Sequence, residues 1–365
     1  MNSDSPMLLI GIGTAGSAIA SGINRAFGGG LRYLLVDTDA AAGQSGGPFT
    51  LLGGERLAGR GAGGDVVVGR LAAAESIRVL DEHLEGVRLA VLVTALGGGT
   101  GGGATLEAAK HLSERGIPSV VFATTPFPFE GEDRMNNATG VMQMIEEAAN
   151  ATFFIPLEKL VAETDNMQEA LRRAVDTLAS GVTLFFRLVE KPGYIRLDAE
   201  RLRHLVQGAG RGRFATVTVQ GMNRTVNAID TLIRSELLTT STGPVKSTLC
   251  GILAGNDLLL SEVGAIADGV RSAFGGLSFD LATVNDEDTF SGRLSVVVML
   301  FESATKAEDE VKPGSVMSGR KRKTKALLGA GPVGRGRFKN AEPTIWNGED
   351  LDVPTFLRKN LSLDF

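Results

Sequence analysis

The sequence predicts an α/β protein: a parallel-sheet domain with glycine-rich loops at its strand ends, a long central helix, and a smaller α+β domain. Three observations predict this. Short apolar runs alternate with helical stretches in the first half, the pattern of a parallel sheet covered on both faces. Glycine-dense turns follow two of those runs directly, and a third lies between them. The amphipathic stretch from Met167 to Val189 is ended by Pro192-Gly193, and a second set of strand-like and helix-like segments follows it.

Met7-Leu8-Leu9-Ile10 is apolar throughout, as a buried strand requires, and ends at Gly11-Ile12-Gly13-Thr14-Ala15-Gly16. Ser17 to Phe27 then has helical spacing. Tyr33 to Val36 is the next strand and delivers Asp37-Thr38-Asp39 at its end. Gly59 to Asp65 is a second glycine-rich loop. Leu89 to Val93 is a buried strand, and the run Gly97 to Gly103 places six glycines around Thr100. Thr105 to Arg115 reads as the helix that follows. Ser119 to Ala123 is a further strand, leading into Thr124-Thr125-Pro126-Phe127. Sites in such sheets lie beyond the carboxyl ends of the strands, so these loops converge on one crevice. In the second half, Phe214–Gln220, Val245–Ala254, Leu277–Val284 and Arg293–Phe301 read as strands. Asn223–Ser235 and Leu260–Phe274 read as helices.

The chain has 365 residues, 43% of them hydrophobic, which suffices for two packed domains and a tail. A net charge of −5 offers no overall basic field for nucleic acid. The single cysteine excludes an internal disulfide, and the three histidines lie far apart, which disfavours a histidine metal site. No apolar stretch reaches membrane-span length, and Met1 to Pro6 is too short and polar for a signal peptide. The expected location is cytoplasmic. Positive charge concentrates between residues 305 and 340, so the rest is acidic.

A strand, a glycine run around one hydroxyl and a helix make a phosphate cradle. The backbone N–H groups approach the anion and the helix N-terminus adds partial positive charge. Gly11 to Gly16 also fits the dinucleotide fingerprint, with Asp37 near the spacing of a ribose-binding acid. A nicotinamide-dependent oxidoreductase is therefore a rival reading, although it leaves the other two glycine loops unused. No G-x-x-x-x-G-K-[ST] is present, so this is not a P-loop enzyme. Glu130 and Arg134, four apart at a helix start, suit ribose and phosphate, or else form a surface ion pair.

Gly-Gly-Gly-Thr-Gly at 97–101 and Pro-Phe-x-Phe-Glu-Gly-x-x-Arg at 126–134 resemble FtsZ, the bacterial tubulin relative. So do Gly-Ala-Gly at 61–63, Thr-Asp-Ala at 38–40 and Pro-Gly at 192–193. The resemblance covers about Leu8 to Phe301. It implies a tubulin/FtsZ-like fold with a GTP-binding domain over residues 1–166, a central helix over 167–193 and an activating-loop domain over 194–302. It implies GTP or GDP as ligand, with Mg²⁺, and head-to-tail filaments that scaffold division at the inner membrane face. By its motifs, Gly11, Gly13, Thr14, Ala15 and Gly16 hold phosphate. Gly61, Ala62 and Gly63 do the same, as do Gly97, Gly98, Gly99, Thr100 and Gly101. Asp39 lies near a metal or water at the phosphates, Glu130 and Arg134 contact ribose and phosphate, and Asp176 contacts the base.

Departures from the family pattern are informative. Gly102 replaces a second threonine, and Val175 stands where an asparagine reads guanine. The family's activating loop carries Asn-x-Asp-x-x-Asp, whose two acids position water at a neighbour's γ-phosphate. Here the run is Arg196-Leu197-Asp198-Ala199-Glu200-Arg201. Asp198, Glu200 and Arg201 are the candidate catalytic residues, with Asp198 equally suited to cap the next helix. Slow or absent hydrolysis is expected, and a non-hydrolysing filament or regulator of another FtsZ is the alternative. Residues 303–341 read as a disordered basic linker, in which Arg320 to Lys325 could meet anionic lipid. Residues 342–365 resemble the family's tether-binding peptide, with Val353, Pro354, Phe356 and Leu357 as anchors.

Overall fold

A computed structural model describes residues 5–161, 166–240 and 243–302, with the backbone of 345–346 and 349–350. It separates into two compact units, Met1–Glu308 and Asp309–Phe365. The expectations for the linker and for the anchors Val353 to Leu357 fall outside the described residues.

The first unit begins with β1 (Met7–Ile12), α1 (Gly13–Phe27), β2 (Tyr33–Asp37) and β3 (Phe49–Leu51). A single-turn α2 (Gly54–Leu57) leads to α3 (Val66–Ser76), β4 (Leu89–Ala95) and α4 (Gly99–Glu114). Then come β5 (Ser119–Thr125), α5 (Glu132–Ala148), β6 (Ala151–Pro156) and α6 (Met167–Glu190). The remainder is α7 (Ala199–Val206), β7 (Gly210–Gln220), α8 (Arg224–Ile233), α9 (Glu236–Thr239) and β8 (Val245–Ala254). It ends with α10 (Leu260–Phe274), β9 (Ser278–Asn285), α11 (Glu287–Phe290) and β10 (Arg293–Glu302). In the second unit, β11 (Ile345–Trp346) pairs antiparallel with β12 (Glu349–Asp350).

One ten-stranded sheet runs in the order β3-β2-β1-β4-β5-β6-β7-β10-β8-β9. Pairing is parallel from β3 to β7, antiparallel on both sides of β10, and parallel again between β8 and β9. Every residue of β1 is buried, because both faces of the parallel part are covered. Alternate β1 side chains serve opposite faces. Met7 and Leu9 pack with Ile19, Leu178 and Phe185 under α1 and α6, and Leu8 and Ile10 pack with Leu106, Leu112 and Ile145 under α4 and α5.

Two helices begin earlier than the sequence predicts. The expected starts at Ser17 and Thr105 move back to Gly13 and Gly99, so glycines expected in loops form first helical turns. Glycine is a poor helix former, and packing overrides that propensity here. A Cβ on Gly99 would lie 2.5 Å from the Asp65 carbonyl oxygen and 2.8 Å from the Ala62 Cβ. A Cβ on Gly103 would overlap the α3 backbone at Arg70. Helix α4 can approach α3 this closely only without side chains.

The 24-residue helix α6 joins the two halves. The Asn166 side chain caps its start by accepting from the Glu169 N–H at 3.0 Å. Near its end, the buried Arg187 donates to the Ala26 and Phe27 carbonyls at the end of α1, and to Asp286 at 3.2 Å. That one guanidinium ties α1 to the segment carrying α11.

Candidate nucleotide site

The start of α1 supplies the first wall. Gly13 has φ of 75°, the left-handed region that a side chain disfavours. Gly11 and Gly16 answer to packing instead. A Cβ on Gly11 would meet the Ala20 Cβ at 2.7 Å, and one on Gly16 would overlap the Val93 carbonyl. Thr14 and Ala15 are exposed on the first turn.

The start of α4 supplies the second wall, and it touches the first. A Cβ on Gly13 would lie 3.4 Å from the Gly101 nitrogen. Gly97 has φ of 99°, and Gly98 precedes α4 as its N-cap residue. No atom lies within 4 Å of a Cβ built on Gly98, so its α-carbon faces open space. The two helix starts thus present unpaired N–H groups and two positive dipole ends to one place, an anion cradle.

The end of β2 and the second glycine loop close the third side. The Thr38 and Thr100 hydroxyls are 2.6 Å apart. The Gly61 N–H donates to the Thr38 carbonyl at 3.1 Å, and the Ala40 N–H donates to the Gly59 carbonyl at 3.0 Å. Asp39 accepts from the Ala41 N–H at 2.8 Å through Oδ1. Its Oδ2 faces Gly61. Ala62 is buried against α4, and Gly63 borders an open depression of about 580 Å³ with Asp65, Gly98, Asp133, Arg134 and Asn137.

Asp37 is 2% exposed. It accepts from the Thr14 hydroxyl at 2.9 Å and from the Thr38 and Asp39 N–H groups at 2.7 and 3.2 Å. Burial pushes its carboxyl above the usual carboxylate range, against the pull of these donors. The acid that the oxidoreductase reading assigns to a ribose is therefore enclosed by its own chain.

Glu130 and Arg134 lie beside the cradle and bind each other, Arg134 Nη1 donating to Glu130 Oε2 at 2.6 Å. The other Glu130 oxygen accepts from the Phe127 N–H at 2.9 Å. The Asn137 amide, missed in the sequence, donates to the Gly64 carbonyl at 3.1 Å and the Gly97 carbonyl at 3.4 Å. Its only sequence signal is its place three residues after Arg134, on the same helix face. Thr38 was likewise overlooked as a hydroxyl partner of Thr100.

Asp176 lies in a cleft of about 540 Å³ between α1 and α6, with Ser21, Asn24, Tyr33, Arg172 and Val175. The cleft begins at Ala18, one turn beyond Thr14 and Ala15. Asp176 faces Arg172 at 3.8 Å. Val175 offers this cleft no hydrogen bond, as its side chain predicts.

Asp198, Glu200 and Arg201 are elsewhere. Asp198 caps α7, accepting from the Arg201 N–H at 2.7 Å. The Arg201 guanidinium holds Asp280 of β9 at 2.6 Å. Glu200 faces Arg203 and His204 at 3.7 and 3.8 Å. From Asp176 to Lys191, α6 rises about 22 Å at 1.5 Å per residue. These three residues follow the C-terminal end of α6, whereas Asp176 lies in its N-terminal half.

Comparisons with known proteins identify the family and the fold. The family model for the Tubulin/FtsZ family, GTPase domain, matches residues 6–165. Cell division protein FtsZ of Pseudomonas putida is 30% identical over 364 residues, 97% of this chain and 89% of that protein. Cell division protein FtsZ of Pseudomonas aeruginosa is 31% identical over 365 residues, 96% of this chain and 88% of that protein. Among solved structures, the empty FtsZ dimer of M. jannaschii superposes with a TM-score of 0.74 at 22% identity, covering 86% of this chain and 94% of that one. The GTPγS-bound protofilament of CetZ2 from Haloferax volcanii gives 0.70 at 23% identity, covering 82% and 93%. The fold is the tubulin/FtsZ fold, and on near full-length identity of 30 to 31% with the two Pseudomonas proteins the chain belongs to the FtsZ family.

Proposed function

We propose that this chain binds GTP or GDP and polymerises head to tail into filaments that scaffold cell division, hydrolysing GTP slowly. The observation that carries the reading is the meeting of α1, α4 and the β2 end at one cradle, with an open cleft one turn along α1. In it, Gly11 to Gly16, Gly61 to Gly63 and Gly97 to Gly101 surround the phosphates, Glu130 and Arg134 meet ribose and phosphate, and Asp176 accepts from the base. The domain division follows the same reading: residues 1–166 bind nucleotide, 167–193 form the central helix, and 194–302 carry the loop to a neighbour.

Mg²⁺ fits the donor set. This ion keeps several waters and takes one or two carboxylates plus substrate phosphates. Among the described residues no group of three or more His, Cys, Asp or Glu side chains could hold a metal by itself. Asp39 supplies one carboxylate beside the cradle, and nucleotide phosphates would complete the shell.

The head-to-tail arrangement has a physical basis. In this reading Asp198 and Glu200 serve a second copy, and repetition of that heterologous contact gives an open filament. Slow hydrolysis follows from their engagement: Asp198 caps α7, Glu200 faces Arg203 and His204, and Arg201 holds Asp280. The same engagement favours a second reading, a nucleotide-binding filament that barely hydrolyses. By resemblance, residues 342–365 dock a membrane tether through Val353, Pro354, Phe356 and Leu357, and Arg320 to Lys325 meet anionic lipid.

Pelleting with parallel phosphate release, at fixed protein and Mg²⁺, tests the reading with GTP, GDP and ATP. GTP-dependent pelleting with slow release, further reduced in Asp198→Ala, is the expected result. Pelleting without release selects the second reading. No pelleting with any nucleotide overturns both.

A further inference from the structure

Strands β6 and β7 pair only at Ala151–Gly210 and Thr152–Arg211. Beyond those positions β7 turns to β10, to which it pairs from Gly212 onward. The parting strands open a wedge between α5 and α9. Its cavity, about 360 Å³, is separate from the nucleotide cradle. Met135 and Met142 of α5, Phe153 and Phe154 of β6, Phe214 of β7 and Leu237 of α9 line it. Methionine side chains adapt to irregular apolar guests.

The charged side chains that line the wedge are mostly cations, each paired with a carboxylate. Lys159, Arg211 and Arg213 line it, against Glu236 as the only acid. Arg213 is committed to Glu302 at 2.8 Å and to the Leu238 carbonyl. The other two sit at the rim in exchangeable pairs. Lys159 meets Glu236, and these side chains are 37% and 64% exposed. Arg211 meets Glu146 while its guanidinium lies 5.3 Å over the Phe154 ring. An exposed pair such as Lys159–Glu236 is worth at most about 1 kcal/mol, so an arriving anion can replace its carboxylate there, while the half-buried Arg211–Glu146 pair yields less readily.

We propose that this wedge is a binding site for a single-chain amphiphile with one anionic head. Its apolar body fills the space between Met142 and Phe214, and its head is held by Arg211 and Lys159. The lining itself presents three cations and one acid, with Glu146 and Glu302 held behind Arg211 and Arg213, so an anionic head meets cations first, and a polar ligand would leave the methionine and phenylalanine side chains uncovered. The volume matches the smaller end of ligand pockets, about 300 Å³ and upward. Thr125 and Met135, which line the wedge, flank the segment carrying Glu130 and Arg134. The proposal does not depend on the nucleotide reading.

The test is calorimetric titration of the full chain, without nucleotide, using decanoate below its micelle concentration and decyltrimethylammonium as the opposite-charge arm. One equivalent of decanoate should bind, with the cation at least about tenfold weaker. Thr139→Trp and Thr240→Trp, exposed positions on α5 and at the end of α9, should each weaken decanoate about tenfold with unchanged melting temperature. Arg211→Gln should weaken decanoate and leave the cation unaffected. Equal binding of the two amphiphiles, several equivalents, no binding of decanoate, or full binding in both tryptophan variants would overturn the proposal.

Discussion

The cradle at the starts of α1 and α4 and the ion pairs of the second half, one from α7 to β9 and one from α8 to α10, are both polar, and they are built differently. The cradle is mostly backbone. Its polarity is a set of N–H groups aimed at one space, and its side chains are largely absent. The second set is held mostly by side-chain pairs. Arg201 reaches Asp280, 79 positions away, and Arg224 reaches Glu262, 38 positions away. Groups in the first region await a ligand, whereas those in the second already hold each other. A backbone site is broken by adding atoms, and a paired site by removing them.

The largest expected effect is an addition in the cradle. A Cβ on Gly101 would overlap the Ala95 carbonyl oxygen and sit 3.1 Å from Thr94 Oγ1. Gly101→Ala should therefore cost about 3 kcal/mol of stability by overpacking, read as a lower denaturant midpoint. An unchanged midpoint would mean that the α4 start is loose.

Next is a removal in the paired region. Glu262 accepts from Arg224 Nε and Nη2, each at 2.8 Å, and from the Leu259 N–H at 3.0 Å. The Arg224 guanidinium, helped by Leu259 and Thr225, holds its carboxyl down at about 2. A carboxyl held low stabilises the fold above its ordinary range near 4.5, and that stability is lost as pH falls through 2. Glu262→Gln should cost about 2 kcal/mol at neutral pH, and the gap to wild type should narrow between pH 4.5 and 2. A gap independent of pH would contradict the pairing.

Smaller still is Arg201→Ala. Its pair with Asp280 is half exposed on the arginine side, so the loss should be about 0.5 to 1 kcal/mol. Phosphate release should stay within about twofold of wild type. A tenfold fall would show that Arg201 leaves Asp280 to act on a neighbour's phosphate. The smallest stability effect belongs to Arg134→Ala, an exposed i,i+4 pair worth about 0.3 to 0.5 kcal/mol, in which GTP affinity should fall several-fold.

The two regions also differed in how far the sequence reveals them. Glycine spacing after Ile10 and Leu96 disclosed the cradle, because positive φ and bare helix starts are local demands. The same residues hid where the helices begin, since the closeness of α3 to α4 is a tertiary fact that no local propensity carries. Asp37 stood at the right distance for a ribose acid, and only the structure encloses it with Thr14 and two backbone donors. Nothing near Arg201 in the sequence points to Asp280. The wedge between β6 and β7 was equally hidden, because neither β6 nor the start of β7 before Phe214 is read as a strand from the sequence, and their parting is a property of the pair.

Gly98 separates packing from ligand binding within the cradle itself. Its backbone conformation, φ −92° and ψ 169°, suits alanine, and no atom lies within 4 Å of the added Cβ. Titrating GTP with Mg²⁺ into wild type and Gly98→Ala, with melting temperatures measured alongside, tests the central claim that this open space holds phosphate. The account predicts an unchanged melting temperature without nucleotide and affinity weakened at least about tenfold. Equal GTP affinity in the two proteins would contradict it.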